Sequence, residues 1–181
     1  MINIFTLEHS KSAYRADFVL YAIAVVLLAA FLWVAGPRPQ RLEIVALALG
    51  GLGAWTAMEY ALHRFVLHGL QPFRRWHAEH HQRPRALIFT STILSATLIA
   101  MLVFLPMLLL GDLWRACALT LGLLTGYLSY TITHHAIHHW RTDNHWLKER
   151  KRWHALHHRS AQPGRYGVTS AFWDYVFGST Y

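Results

Sequence analysis

The sequence predicts an all-α integral membrane protein with about four transmembrane helices, and three observations predict it. Apolar residues make up 54% of the 181 and charged residues only 14%, against roughly 25% charged in an ordinary soluble domain. Four apolar runs are long enough to cross a bilayer core of roughly 30 Å. Basic residues gather beside alternate ends of those runs, as membrane topology requires. The length favours one domain, residues 1–181.

The first run extends from Phe18 to Ala35 and is closed by Gly36-Pro37-Arg38-Pro39. Lys11 and Arg15 precede it, as in a signal peptide, but it is longer than an h-region of about 7–15 residues and no small-x-small cleavage site follows. It reads as a membrane helix. The second run covers Leu42 to Leu62, with Gly50, Gly51 and Gly53 where helices can approach closely. The third, Ala86 to Leu110, would be about 37 Å long as a helix, with Pro106 predicting a kink. Thr90, Ser91, Thr92, Ser95 and Thr97 in it can bond to backbone carbonyls. Gly111-Asp112 makes a turn, and the fourth run returns from Leu113 to Ile132. Runs three and four therefore form a helical hairpin. There is no internal repeat, low-complexity tract or flexible linker.

Charge sets the orientation. Lys11 and Arg15, the segment after run two and the segment after run four together hold fourteen of the seventeen Lys and Arg, leaving Arg38, Arg41 and Arg115 on the opposite side. By the positive-inside rule both termini face the cytoplasm. The formal charge of +8 raises the question of nucleic acid, but the basic residues flank apolar segments and form no polar domain of their own, so none is expected as a partner. The single cysteine, Cys117, lies inside an apolar run. It excludes an internal disulfide and a cysteine metal site, and reads as a small core residue.

Chemistry concentrates in histidine. Ten of the fourteen histidines fall in four short clusters: His63-x4-His68, His77-x2-His80-His81, His134-x3-His138 and His154-x2-His157-His158. All four clusters follow runs two and four, on the predicted cytoplasmic side. Neutral imidazole is the commonest ligand for zinc, copper, iron and nickel, and an ionisable side chain beside lipid is costly without a task. Residues three and four apart share a helix face, so three of the clusters can each converge. His63 and His68 diverge by about 140° on an ideal helix. They meet only if the helix ends or bulges there, or else they serve two neighbouring metals.

Ligand number points to two metals. A structural zinc takes four ligands and a catalytic zinc about three plus water, so ten imidazoles supply two ions with four or five each. The expected fold is thus a membrane helical core with a cytoplasmic, histidine-rich di-metal cap. His9 and His145 read as polar interfacial residues. His135 and His139 form a second pair rotated by about 100° on the same helix; His134 and His138 are the favoured ligands, with His139 a candidate hydrogen-bonding support. Glu79 points away from the face of His77 and His80 and reads as a solvated carboxylate. Glu59 and Asp174 are candidates for orienting imidazole N–H groups or for structural ion pairs. Trp76, Trp140, Trp146 and Trp153 either line an entrance or anchor the protein at the bilayer interface.

The clusters in this order resemble those of the membrane fatty acid hydroxylase/sterol desaturase superfamily of non-haem di-iron enzymes. HRFVLH (His63 to His68) looks like the first box of fatty acid 2-hydroxylases and HAEHH like the second. YTITHHAIHH is similar to the third, aligning His134 and His138 with ligands, and HALHH matches the last. RYGVTSAFWDYVFGST, Arg165 to Thr180, is similar to the superfamily's closing segment. The resemblance covers roughly Trp55 to Tyr181, the histidine-box core, and leaves the first helix unspecific. Only eight residues separate His68 from His77, a shorter gap than in fatty acid 2-hydroxylases, though compact bacterial carotenoid hydroxylases share it.

The resemblance implies two iron ions as cofactor, O2 as co-substrate and a lipid from the membrane, above all a fatty acyl chain, as substrate. It implies His63, His68, His77, His80, His81, His134, His138, His154, His157 and His158 as metal ligands, with no catalytic residue beyond them. No haem-binding electron-carrier domain is recognisable in the sequence, so a separate electron-donor protein is expected. Hydroxylation of an unactivated C–H bond is the leading reaction; desaturation or hydroxylation of a sterol or carotenoid is the alternative within the superfamily. The rival class is a membrane metal-handling protein, which should place ligands at mid-bilayer rather than beyond helix ends. A bis-histidine haem protein is poorly served by the HxxHH spacing.

Overall fold

The computed structural model describes residues 8–159 and 164–181 and is mostly helical. Its helices are α1 (Lys11–Ala35), α2 (Arg41–Ala61), α3 (Phe73–Gln82), α4 (Thr92–Ile99), α5 (Leu105–Leu110), α6 (Leu113–His139), α7 (His145–Arg159) and α8 (Phe172–Val176). Four stretches are long and apolar enough to cross a membrane: Lys11–Ala35, Arg38–Leu67, Thr92–Leu110 and Leu113–His139. Their count matches the sequence reading; their ends differ, each for a local reason.

α1 begins at Lys11 instead of Phe18, because the Ser10 hydroxyl accepts the N–H of Ala13 at 3.2 Å and caps two further polar turns. The third span starts at Thr92 instead of Ala86, since residues 86–91 run without helical structure. It is also interrupted by a π-helical turn, Ala100–Phe104, ending where Leu105 donates its N–H to the Ala100 carbonyl. Proline lacks an N–H and crowds the carbonyl four residues back, so a widened turn just before Pro106 accommodates it. α6 does not stop at Ile132 but carries its helix through the histidines to His139.

The chain divides into two compact units. The first comprises Met1–Trp55 and Phe89–Leu128. Its core is Leu32, Ile44, Cys117 and Ala118, packed by Leu28, Leu47, Phe104, Trp114 and Leu121, so all four spans contribute to it. α2 and α6 approach closely at Gly51 and Gly122, where an added Cβ would overlap the Leu119 and Ala48 carbonyls respectively; at Gly50 and Gly53 nothing lies within 4 Å. Of the three predicted glycines, Gly51 is where an added Cβ would strike the neighbouring helix. The Tyr21 hydroxyl meets Ser95 Oγ at 2.7 Å and ties α1 to α4. Large apolar side chains face outward along α1, Val26 at 65% and Val34 at 82% exposure, which in water would be unfavourable and in lipid is not.

The second unit comprises Thr56–Ile88 and Ser129–Tyr181. Its apolar core is small: Ala136, Ile137, Leu147 and Val168, with Tyr130 against it. Most of what it buries besides is polar, including His63, His80, His154, His157, Glu59, Asp174 and Ser179. Buried polar groups are tolerated only when partnered, so the partners define the site.

Candidate metal centre

The ten clustered histidines all lie in this second unit, on four short pieces of helix. His63 and His68 bracket a π-helical turn, Leu62–Leu67, that follows α2 directly. The bulge brings together two side chains that a regular helix would separate: their ring centroids are 5.2 Å apart. α3 carries His77, His80 and His81 on one face, the last two turns of α6 carry His134 and His138, and α7 carries His154, His157 and His158.

They assemble into two groups able to hold a metal ion. His63, His68, His77, His81 and His157 each bring one ring nitrogen to within 4.8 Å of all the others, and so do His80, His134, His138 and His154. His158 stands outside both sets and beside each of them: its Nε2 lies 2.9 Å from that of His154 in the second, and its ring stacks on His81 of the first at 4.1 Å between centroids. The groups therefore adjoin.

The spacing of the nitrogens is informative. In the first group Nε2 of His77 lies 3.0 Å from those of His63 and His81, and Nε2 of His157 lies 3.1 Å from those of His81 and His68. In the second, Nε2 of His138 lies 3.2 Å from that of His134 and 3.0 Å from that of His154. Two nitrogens bound at about 2.1 Å to one metal are about 3.0 Å apart at a right angle and about 3.4 Å apart at the tetrahedral angle. Separations of 3.0–3.2 Å are short enough for each of these pairs to share one ion.

The donor set also fits a metal by what it leaves unsatisfied. Both ring nitrogens of buried His80 and Nδ1 of His154 have no hydrogen-bond partner among the described residues, a cost that coordination would remove. Burial, reinforced by neighbouring imidazoles, keeps the rings neutral: His68 is pulled down to about 4, His80 and His158 to about 3, and His77 and His154 well below the ordinary range. Neutral imidazole is the form that ligates.

Two imidazoles are fixed from behind by a strap that the sequence did not reveal. Nδ1–H of His157 donates to the Gly164 carbonyl at 2.6 Å, and Nδ1–H of His63 donates to the Tyr166 carbonyl at 2.5 Å. These bonds set the tautomer and turn Nε2 toward the group. The carboxylates of Glu59 and Asp174, candidates for orienting imidazoles or forming ion pairs, accept backbone N–H groups of residues 166–169. No sequence pattern announces a carbonyl's aim.

The remaining candidates fall outside the two groups. His135 and His139 stack on each other at 4.5 Å between centroids. His9 packs on Phe89, and His145 is exposed. Glu79 pairs with Arg83 at 2.7 Å on the surface. Trp140 and Trp146 are half exposed, while Trp153 lies under the Arg150 and Arg165 guanidinium groups.

A sequence model described as fatty acid hydroxylase matches residues 48–179. The dihydroceramide fatty acyl 2-hydroxylase FAH2 of Arabidopsis thaliana is 36% identical over 152 residues, covering 78% of this chain and 62% of that protein. The ceramide very long chain fatty acid hydroxylase scs7 of Schizosaccharomyces pombe is 32% identical, covering 71% of this chain and 40% of that protein. Among solved structures, full-length scs7p, in which only the hydroxylase domain is visible, superposes with a TM-score of 0.74 at 26% identity, covering 92% of this chain and 66% of that one. The chain thus spans less than two thirds of the length of these relatives.

Proposed function

The chain belongs to the fatty acid hydroxylase family, and from that premise we propose that it is a membrane oxygenase that hydroxylates a lipid acyl chain, consuming O2 and two electrons. The observation that carries the proposal is the pair of adjoining imidazole groups. One metal is held by His63, His68, His77, His81 and His157; the other by His80, His134, His138, His154 and His158. Iron is the metal of choice, because five imidazoles to each ion exceed what a four-coordinate zinc site uses.

Bound iron would supply the activation of O2 and the abstraction of hydrogen from an unactivated C–H bond. The chain's own part is ligation, orientation and exclusion of water. The strap carbonyls of Gly164 and Tyr166 hold two ligands in the required tautomer. His154, His157, Val168, Asp174 and Ser179 are fully buried, so bulk water is kept from that side of the centre.

The relatives are named a dihydroceramide fatty acyl 2-hydroxylase, a ceramide very long chain fatty acid hydroxylase and a fatty acid 2-hydroxylase, and we extend that substrate class, with position 2 of the acyl chain, to this chain. Both termini and the metal centre face the cytoplasm, where a separate electron-donor protein reaches them; the one-sided distribution of Lys and Arg supports this orientation. Mass spectrometry of lipid extracts from cells with and without the protein, grown with ample iron, tests the reaction. Acyl chains gaining one oxygen, located by fragmentation next to the carbonyl, are expected. Loss of two hydrogens would make it a desaturase, and an unchanged lipid profile would contradict both.

A further inference from the structure

Building on the two-metal reading, we propose that Asp174 is a positioning residue for one of the two metals and not for the other. Its side chain is wholly buried on α8. Oδ1 accepts the Tyr166 N–H and the Ser179 hydroxyl, each at 2.8 Å, and Oδ2 accepts the Gly167 N–H at 2.8 Å. Ser179 closes the arrangement: its N–H donates to the Asp174 carbonyl at 2.8 Å and its carbonyl accepts the Arg165 N–H at 2.7 Å. The carboxylate thus grips the strap on the C-terminal side of Arg165, and the Ser179 carbonyl grips Arg165 itself.

What is gripped is a conformation the chain would not choose. Arg165 has φ +57°, the left-handed region that side-chain-bearing residues rarely enter and that persists only when surroundings enforce it. This turn separates the two carbonyls that matter, Gly164 before it and Tyr166 after it, and lets one meet His157 and the other His63. Gly167 admits no side chain, since a Cβ would overlap the Ser170 carbonyl and come within 2.9 Å of Asp174 Oδ2. Beyond it, Glu59 holds the strap in place by accepting the N–H groups of Val168 and Thr169 at 2.7 and 2.9 Å.

The selectivity follows from which imidazoles the strap reaches. His63 and His157 both belong to the group with His68, His77 and His81. In the other group His80 and the Nδ1 of His154 have no such support. Loosening the strap should therefore free two ligands of one metal and none of the other. An outer hydrogen bond of this kind is worth about 10–100-fold in metal affinity.

The test is the release of iron to excess EDTA from full-length protein in detergent, followed by elemental analysis. In Asp174→Asn one oxygen is replaced by an amide NH2 that faces a backbone N–H, so the strap is released. One of the two irons should then leave about 10–100 times faster and the other at the wild-type rate. The identity of the fast iron is read in double variants. Asp174→Asn should accelerate release of the iron that remains in a His80→Ala background and leave unchanged the one that remains in His157→Ala. Should Asp174→Asn not fold, judged by elution and helical circular dichroism, Ser179→Ala removes the hydroxyl's bonds to Asp174 and Tyr60, leaves both backbone N–H bonds to the carboxylate, and should accelerate the same iron more mildly. Equal acceleration of both irons, or of neither, overturns the proposal. Wild-type protein that holds two irons and leaves lipid unaltered would instead contradict the proposed reaction and leave this inference standing.

Discussion

The backbone N–H of His68 donates to the carbonyl of His63 at 3.2 Å, five residues back in the chain. That bond closes the π-helical turn Leu62–Leu67, which brings the two imidazoles together, tilted and with ring centroids 5.2 Å apart, where an α-helix would have pointed them apart. π-bulges are rare and occur often at functional sites. Inserting one alanine between Phe65 and Val66 would rotate His68 by about 100° and remove it from its group. Elemental analysis of that variant should find near one iron per chain; two would mean that the turn is not what aligns the pair.

The two histidine pairs on α6 should behave differently. His134 and His138 contribute to a group, whereas His135 and His139 stack on each other outside it. His138→Ala should abolish hydroxylation and lower iron content, while His135→Ala should leave iron content at the wild-type value. Loss of iron in His135→Ala would exchange the roles of the pairs.

Protons should unfold the metal-free protein in mild acid. Burial holds His68 at about 4 and His80 and His158 at about 3 in the folded chain, whereas the unfolded chain titrates near 6.5. Between those values the unfolded state binds more protons, so stability is complete above about pH 6.5 and falls as pH drops toward about 4. The melting midpoint of chelator-stripped protein should decline through that window. A midpoint that is flat or rises there would contradict the burial of these rings.

Close helix approach makes a sharp contrast between two glycines. Gly122→Ala would drive a methyl into the Ala48 backbone and should cost about 1–3 kcal/mol, read as a lowered melting temperature in detergent. Gly50→Ala, whose added Cβ meets nothing within 4 Å, should be neutral or stabilising by up to about 1 kcal/mol. Equal effects would place the α2–α6 contact elsewhere.

Much of this was legible in the sequence because two signals have simple physical causes. Apolar runs must match a bilayer's thickness, so the four spans could be counted. HxxH and HxxxH spacings share a helix face, so α3, α6 and α7 could be expected to present His80, His134 and His154 inward. What escaped depends on backbone geometry that residue type does not encode. The π turn at Leu62–Leu67 was recognisable only as one of several ways to reconcile His63 with His68. The carbonyls of Gly164 and Tyr166, and the indirect roles of Glu59 and Asp174, rest on a left-handed Arg165 that no propensity predicts. Helix ends moved for similarly local reasons, the Ser10 cap and the unbroken helix into His139.

The central claim is that ten imidazoles hold two irons, five to each. Elemental analysis of protein purified from iron-replete cells, paired with X-ray absorption at the iron edge, tests it most directly. The expected result is near two irons per chain, each with several imidazole nitrogens in a five- or six-coordinate shell. A homogeneous preparation with one metal or none, or with tetrahedral zinc in both positions, would contradict it.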